Sequence, residues 1–310
     1  MQNVPVRALY HSRRPDISFG DMINWQQCDL LDVWQLEDAL QGISHIYHCA
    51  AMISFDPRKK KQIIQHNVTL TANVVNAALD AGISKMVHVS SVAALGRPVS
   101  QKDSGPVLIG ENFPWMPGKN NSAYAESKYL SELEVWRGIA EGLPAVIVNP
   151  ATILGAGDWE KGSAHLMKIV DEEFPWFTQG VNGWVNVKDV ASAMILLMDS
   201  AISAERFILS CGNYAYKDVF TQMAQMLHRR PPHRKAGKWM TEIVWRLKLL
   251  QSRMAGKEAV ISRETARTAQ TQHLYNNEKF LRWFPQFHYY TLGETIEQMA
   301  ELYLQQNKHG

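Results

Sequence analysis

Strand-like and helical segments alternate through the first two thirds of this chain of 310 residues. Short apolar runs, typical of buried strands, are separated by longer stretches whose apolar residues recur at helical spacing. This alternation predicts an α/β fold, a doubly wound parallel sheet with helices on both faces. The predicted strands cover residues 4–10, 25–29, 44–50, 85–91, 144–149 and 206–210, and the predicted helices cover residues 32–40, 62–81, 124–134 and 187–198.

The sequence changes character after about residue 214, where helical patterns dominate. A basic, proline-containing run at 228–235 interrupts them; we interpret it as a solvated connection, the alternative being a site for an acidic partner. The amphipathic segment 239–250 either completes the core of a second domain or packs over a substrate pocket. We therefore predict a smaller, mostly helical C-terminal portion, with residues 206–210 as the last strand.

Composition narrows the function classes. With 46% hydrophobic residues the chain can build a full core. Its net charge of only +2 gives no excess of positive charge that would indicate binding to nucleic acid. The three cysteines show neither pairing nor metal spacing, no apolar stretch reaches the roughly 18 residues of a membrane span, and no leader is recognised. We expect a cytoplasmic protein that acts on a small molecule and holds no metal.

Tyr124, Lys128 and Ser91 form the candidate catalytic group. A tyrosine and a lysine four residues apart lie on one helix face, and the lysine ammonium favours the phenolate of a group whose ordinary pKa is about 10. A serine at the end of a strand can hold a carbonyl or alcohol oxygen while a proton moves between that oxygen and the tyrosine. The spacing alone also occurs on ordinary surface helices; its place after a strand that ends in two hydroxyls favours hydride-transfer chemistry.

Several motifs, in order along residues 4–215, resemble the extended short-chain dehydrogenase/reductase superfamily. The similarity is to its NAD-dependent epimerase/dehydratase group, and within it to the dihydroflavonol 4-reductase and 3β-hydroxysteroid dehydrogenase-like branch. The resemblance implies a Rossmann-like sheet with a C-terminal substrate-binding portion. The matching segments are residues 6–9, 28–32, 46–51, 67–73, 87–92, Tyr124-Ala-Glu-Ser-Lys128, Asn149-Pro-Ala-Thr-Ile-Leu-Gly155 and 183–190.

The resemblance also implies roles for single residues. Tyr124 would be the general acid/base, Lys128 would lower the pKa of Tyr124 and hold the nicotinamide ribose, and Ser91 would orient the substrate oxygen. Ser90 is expected to support the strand end, and Asn67 to hold helix and loop backbone together. The implied cofactor-binding residues are His11, Ser12, Arg13, Asp29, Leu30, Ala50, Ala51, Tyr124, Lys128, Pro150 and Thr152.

The choice of dinucleotide depends on the end of the first predicted strand. NAD-binding folds commonly place an acid there for the ribose 2′-hydroxyl, whereas a 2′-phosphate favours arginine. Here Arg13 and Arg14 follow the strand, and no acid occurs before Asp16. We favour NADP(H) over NAD(H), the alternative being that both arginines are solvated loop residues.

One family signature is missing. A strand ending in a glycine-rich turn, whose backbone amides approach the pyrophosphate, should precede Val4. Such a strand lies in the middle of the sheet, so its loss would leave two apolar strand edges with unpaired backbone groups, each costing about 1–3 kcal/mol. We expect a native N-terminal segment of about thirty residues to be lacking; the alternative is a divergent protein that has lost its cofactor.

The leading functional hypothesis is an NAD(P)-dependent oxidoreductase that transfers a hydride between nicotinamide and a ketone or secondary alcohol of a fairly apolar small molecule. The alternatives are a sugar-nucleotide epimerase or dehydratase and a non-catalytic cofactor-sensing or partner-binding protein. Apolar residues follow Ser91 where a dehydratase usually adds an acid, which disfavours the dehydratase.

A homodimer through helices 62–81 and 124–141 is expected from the resemblance. Residues 1–155 and 183–213 would bind dinucleotide, and residues 156–182 and 214–310 would bind substrate.

Overall fold

The computed structural model describes residues 4–15, 22–54, 57–96, 107–118, 121–237 and 269–308. The predicted segment 239–250 lies outside these residues. The strands are β1 (Val6–Tyr10), β2 (Ile23–Gln27), β3 (His45–His48), β4 (Lys85–Val89), β5 (Leu108–Ile109), β6 (Ala145–Pro150), β7 (Thr152–Leu154), β8 (Trp176–Phe177), β9 (Val181–Asn186), β10 (Glu205–Leu209), β11 (Gly212–Ala215), β12 (Arg234–Lys235) and β13 (Leu274–Tyr275). The α-helices are α1 (Val33–Leu40), α2 (Lys60–Asp80), α3 (Ala123–Ala140), α4 (His165–Asp171), α5 (Val187–Asp199), α6 (Tyr216–Met226), α7 (Glu278–Trp283) and α8 (Leu292–Lys308).

Four parallel strands form the larger sheet, in the order β3-β4-β6-β10. Neighbouring residues of β6 face opposite sides: Ile147 packs with α1, α2 and α3, while Val146 and Val148 pack with α5 and α7. Because side chains alternate along a strand, burial of both sets requires helices on both faces. The predicted doubly wound α/β fold is confirmed.

A second sheet contains only β1 and β2, which are parallel. Leu9 of β1 and Ile46 of β3 pack against the same core, yet no ladder hydrogen bond joins the two sheets in the described part of the chain. Val6 stays 48% exposed and Tyr47 45% exposed, although strands inside a parallel sheet are normally buried on both faces. Among the described residues the two sheets are therefore separate, and β1 and β3 each lack a strand partner on one side.

Helix α3 lies against helix α2, and a glycine permits their close approach. A Cβ added at Gly138 would come within 2.4 Å of Cγ1 of Val75. Ser122 caps the start of α3, its Oγ accepting a hydrogen bond of 2.8 Å from the backbone nitrogen of Ala125. The helix continues to Ala140, beyond the pattern seen at 124–134 and close to the predicted dimer helix at 124–141. Its position on α2 fixes the face that carries Tyr124 and Lys128.

The prediction that residues 206–210 form the last strand is wrong. Strand β11 follows directly and pairs with β9, which also pairs with β7, and β13 pairs with β5. These strands are short, and β9 contains Gly183 and two asparagines, residues with weak strand preference, so their pattern is faint. Helices α4, α6 and α8 enclose a separate apolar core with Leu154 and Trp184.

Candidate active site

Lys128 is almost wholly buried, at 5% exposure, one turn after Tyr124 on α3. Its Nζ donates a hydrogen bond of 3.1 Å to the backbone oxygen of Val89, the last residue of β4. Burial lowers the pKa of Lys128 to about 8, and the charges of Glu132 and Cys49 act in the opposite direction. Lys128 therefore remains mainly an ammonium at neutral pH, and it ties the helix to the strand end that precedes Ser91.

Ser91 stands at the start of a 3₁₀ turn, Val92–Ala94, directly beyond β4. Its Oγ accepts a hydrogen bond of 3.1 Å from the backbone nitrogen of Ala93. The turn packs against α3, the helix that carries half-buried Tyr124. The structure thus brings the strand end with Ser91 and the helix with Tyr124 and Lys128 together at one edge of the sheet.

Ser90 supports the strand end through its backbone. Its nitrogen donates a hydrogen bond of 2.8 Å to the backbone oxygen of Val148, so β4 and β6 stay paired beyond the last ladder residue. Its Oγ is buried and has no hydrogen-bond partner among the described residues. A buried hydroxyl without a partner at this edge is the kind of group that a bound polar ligand satisfies.

Asn67 makes the contacts that its expected structural role requires. Its Oδ1 accepts a hydrogen bond of 2.7 Å from the backbone nitrogen of Met52, and its Nδ2 donates one of 3.0 Å to the backbone oxygen of the same residue. Nδ2 also lies 3.1 Å from Oγ of Ser127 on α3. Asn67 thereby holds the loop after β3 against both long helices.

A polar network behind Ser91 was not anticipated from the sequence. Asn149 donates from Nδ2 to the backbone oxygen of Ser91 at 3.0 Å and to Oε1 of Glu132 at 2.5 Å. The other carboxylate oxygen of Glu132 accepts a hydrogen bond of 3.1 Å from Nη1 of Arg206. The available signal was an acid four residues after Lys128, on the helix face that packs inward.

A cavity of about 480 Å³ lies beside this network, and Tyr129, Glu132 and Arg206 are among its lining residues. The ring of Trp115 stacks on that of Tyr129, with 4.3 Å between the ring centroids. Ser91, Tyr124 and Lys128 are not among the lining residues. Glu132 therefore stands between this cavity and the candidate catalytic group.

Pro150 and Thr152, the residues expected beside the nicotinamide, follow one another across a break between β6 and β7. Pro150 is buried, whereas Thr152 is half-buried, and its Oγ1 accepts a hydrogen bond of 2.8 Å from Nδ2 of Asn182. Both residues lie at the carboxyl edge of the sheet, as Ser91 does. This edge is where ligands bind in open parallel sheets.

The residues expected near the adenosine end gather at the carboxyl ends of β1, β2 and β3. Nε2 of His11 is 3.8 Å from Oδ2 of Asp29, and the side chain of His11 is largely exposed while that of Asp29 is 43% exposed. Ser12, Arg13 and Ala50 are exposed and Ala51 is half-buried. Leu30 is half-buried, and its side chain packs against the hydrophobic core.

These residues fit the two ends of a dinucleotide, but not its middle. The nicotinamide end has hydroxyls, a buried ammonium and an unpartnered Ser90 Oγ, and small side chains at Ala50 and Ala51 leave the backbone accessible. No glycine-rich turn at a helix start, the usual cradle for a diphosphate, occurs after β1, β2 or β3 in the described residues. The fit is therefore incomplete at the diphosphate.

A buried histidine pair lies close to Lys128 and was also not anticipated. The rings of His48 and His88 are 4.9 Å apart between centroids, and Nε2 of His48 is 3.3 Å from Oγ1 of Thr71. Burial, and then the charge of Lys128, lower the pKa of His48 to about 3. Burial, His48 and Lys128 hold the pKa of His88 well below its ordinary value. Both rings are neutral at pH 7.

The described residues contain no group of side chains that could hold a metal ion. No helix in the described ranges is long and apolar enough to cross a membrane.

The fold is that of a Rossmann-like α/β protein with a polar site at the carboxyl edge of its sheet. A profile of the NAD dependent epimerase/dehydratase family matches residues 2–209, more than half of the chain. The chain therefore belongs to this family, and the resemblance read from its motifs is confirmed. The family and the relatives that are named as reductases support an enzyme at this general level.

Two relatives are informative. Sterol demethylase protein B of Methylococcus capsulatus is 27% identical over 231 residues, covering 73% of this chain and 68% of that protein. A Synechocystis protein provisionally named dihydroflavonol 4-reductase is 28% identical over 246 residues, covering 77% of this chain and 70% of that protein.

Solved structures agree in fold. The crystal structure of gox2253 matches with a TM-score of 0.79 and 25% identity, covering 98% of this chain and 92% of that chain. The UDP-glucose 4-epimerase of Thermotoga maritima, solved with UDP-glucose, matches with a TM-score of 0.76 and the same coverage. Its identity of 15% shows a shared fold alone.

Proposed function

We propose that this protein is an NAD(P)-dependent oxidoreductase that transfers a hydride between nicotinamide and a ketone or secondary alcohol of a fairly apolar small molecule. The observation that carries the proposal is the attachment of buried Lys128 to the oxygen of Val89, because it locks the helix of Tyr124 against the strand that leads to Ser91. The reductase names among the relatives support the same reaction class.

In this proposal the proton chemistry belongs to three side chains. Ser91 donates a hydrogen bond from its hydroxyl to the substrate oxygen, and Tyr124 gives a proton to that oxygen during reduction or takes it during oxidation. The ammonium of Lys128 stabilises the phenolate that Tyr124 leaves behind. The nicotinamide, when bound, supplies or accepts the hydride. Ser91, Tyr124, Lys128, Pro150 and Thr152 would surround its ring and ribose.

We infer NADP(H) in preference to NAD(H). Arg13 is exposed just beyond β1, where a 2′-phosphate would meet a cation. His11 and Asp29 would lie near the adenosine, with Leu30, Ala50 and Ala51 along its path. Residues 1–155 and 183–213 would form the dinucleotide-binding portion and residues 156–182 and 214–310 the substrate-binding portion. We further propose that the protein is cytoplasmic and that it forms a homodimer through α2 and α3.

We also propose that full competence requires one more parallel strand, joining the two sheets and ending in a glycine-rich turn. The open edges of β1 and β3 and the exposure of Val6 and Tyr47 support it, as does the lack of a diphosphate cradle after the described strands. A turn of this type would present backbone amides to the diphosphate. In this proposal the additional strand decides whether the protein binds its cofactor, and it does not change which residues form the catalytic group.

The test is a fluorescence titration with NADPH and NADH, on the chain as it stands and on a version extended before Val4 by a strand and a glycine-rich turn. We expect the extended protein to bind NADPH more tightly than NADH and to reduce at least one ketone from a panel of apolar substrates. If the extended protein ignores both cofactors, the oxidoreductase proposal fails.

Turnover then tests the assigned proton donor. Replacing Tyr124 by Phe should lower turnover at least about 100-fold while cofactor affinity is unchanged. The matched control is Tyr129→Phe, the same change on the same helix at a residue that stacks on Trp115. The control should retain activity within about twofold, and retained turnover in Tyr124→Phe would refute the role of Tyr124.

A further inference from the structure

We propose that Glu132 is a positioning residue for the catalytic group, fixing the backbone of Ser91 through Asn149 and setting the electrostatic environment of Lys128. This inference deepens the proposed function and rests on it. It assigns a purpose to a buried acid that is not among the expected cofactor-binding residues.

The first step concerns the side-chain amide of Asn149, which is fully buried in β6. Its Nδ2 group has two hydrogens; one is directed to the oxygen of Ser91 and the other to Oε1 of Glu132. Both of these partners are acceptors only, so the amide must present its nitrogen to them. The carboxylate of Glu132 thus decides the orientation of Asn149, and Asn149 in turn holds the carbonyl of Ser91.

The second step concerns the charge of Glu132, whose side chain is 1% exposed. Arg206 from β10 donates to Oε2 of Glu132 from a side chain that is 20% exposed. This contact is a charge-assisted hydrogen bond, which is stronger than a hydrogen bond between neutral groups. Buried ion pairs are nevertheless poor devices for stability, because desolvation offsets their attraction. The role of Glu132 is therefore better inferred from its location than from a contribution to stability.

The third step concerns Lys128, which precedes Glu132 by four residues and so lies on the same side of α3. Burial lowers the pKa of Lys128, and Glu132 is the larger of the two charges that raise it again, the other being Cys49. Lys128 also acts on His48 on β3 and His88 on β4, and both rings are neutral at pH 7. Glu132 is thus the main anionic partner of this ammonium.

The experiment uses the full chain without cofactor or substrate, so failure of hydride transfer would not affect its outcome. The lysine side chains are labelled with ¹³C at Cε, and the Lys128 signal is assigned from its loss in Lys128→Arg. Its titration is followed in wild type, in Glu132→Gln and in the control Glu134→Gln. The control removes the same charge from a residue on α3 that pairs with Arg137 instead.

We expect Glu132→Gln to shift the titration of Lys128 downward by roughly half a unit or more, and Glu134→Gln to leave it in place. Hydrogen exchange of the Ala93 and Ala94 amides, which donate to Oγ and O of Ser91, should rise about tenfold in Glu132→Gln only. If either readout fails to move, the joint positioning role is refuted.

A second variant guards against loss of folding. Glu132→Gln combined with Arg206→Gln removes both charges and leaves neutral amides that can hydrogen-bond to each other. It should show the same downward shift for Lys128 as the single variant. An unchanged Lys128 titration in a folded double variant would overturn the proposal.

Discussion

The two pieces of the sheet differ sharply in burial. All six residues of β6, in the four-stranded sheet, are buried, whereas every residue of β1, in the two-stranded sheet, is exposed or half-buried. Both pieces are built of parallel strands in one chain and share one core. The difference lies in the number of paired neighbours, since a two-stranded ribbon is marginal by itself.

The two pieces of the sheet carry different parts of the proposed site. Ser91 and Asn149 are held by the four-stranded sheet, and Lys128 is bonded to it. His11 and Asp29, expected near the adenosine, lie at the ends of the two-stranded sheet. The proposed catalytic group therefore lies on the more buried piece of the sheet, while part of the proposed cofactor site lies on the more exposed piece.

Hydrogen exchange should show the largest effect. Amides paired between β4 and β6 should exchange only on global unfolding, and amides paired between β1 and β2 should exchange at least about 1000-fold faster through local opening. The measurement is native-state hydrogen exchange by NMR. Equal protection in the two sheets would contradict the contrast drawn from burial.

Acid should destabilise the four-stranded piece through its histidines. The pKa of His48 is about 3 in the folded protein against an ordinary 6.5, and that of His88 is also depressed. The unfolded chain binds more protons below 6.5, so stability is full above that pH and falls as the pH drops from 6.5 towards 3. Each histidine should contribute up to about 1.4 kcal/mol per pH unit. Urea unfolding between pH 7 and pH 4.5 measures the slope.

The control for this pH effect lies on the same strand. His45 begins β3 and is exposed, whereas His48 ends it and is buried. His45→Gln should keep the wild-type slope, and His48→Gln, whose amide can still reach Thr71, should reduce it. An unaltered slope in His48→Gln would assign the acid sensitivity to other groups.

A matched pair of valine substitutions should give the next largest contrast. Val148 in β6 is wholly buried, and Val6 in β1 is 48% exposed. Val148→Ala should lower the free energy of unfolding by about 1.5–3 kcal/mol, and Val6→Ala by less than about 1 kcal/mol, because only buried methyl groups lose their full transfer energy and leave a cavity. Denaturant unfolding of both variants tests this, and equal losses would mean that β1 is as well packed as β6.

The fold was largely predictable because its main strands are apolar runs between periodic helices. The strands at 85–91 and 144–149 and the helix at 187–198 were found within one or two residues. Strands β7, β9 and β11 were not found, because short strands with glycine and asparagine depend on tertiary pairing rather than local preference.

The site was predictable only where chemistry and sequence spacing coincide. Tyr124 and Lys128 share a helix, so their juxtaposition follows from periodicity. Glu132, Asn149 and Arg206 come from a helix and two strands, and only the sheet order brings them behind Ser91. The pairing of His48 and His88 likewise depends on the register of β3 against β4, where these two residues are partners.

The smallest predicted effect concerns Arg7, which fastens β1 to the end of α1. Its Nη1 donates to the backbone oxygens of Ala39 and Gln41, at 2.8 and 3.1 Å, groups that a helix end leaves without partners. Arg7→Met should lower the free energy of unfolding by about 0.5–1.5 kcal/mol and speed exchange of the β1 amides more than that of the β6 amides. Arg282→Met, at an exposed position on α7, is the control and should change stability by less than about 0.5 kcal/mol. Equal acceleration of exchange in β1 and β6 would show that the two pieces of the sheet open together. The difference in their burial would then not produce a difference in their local stability.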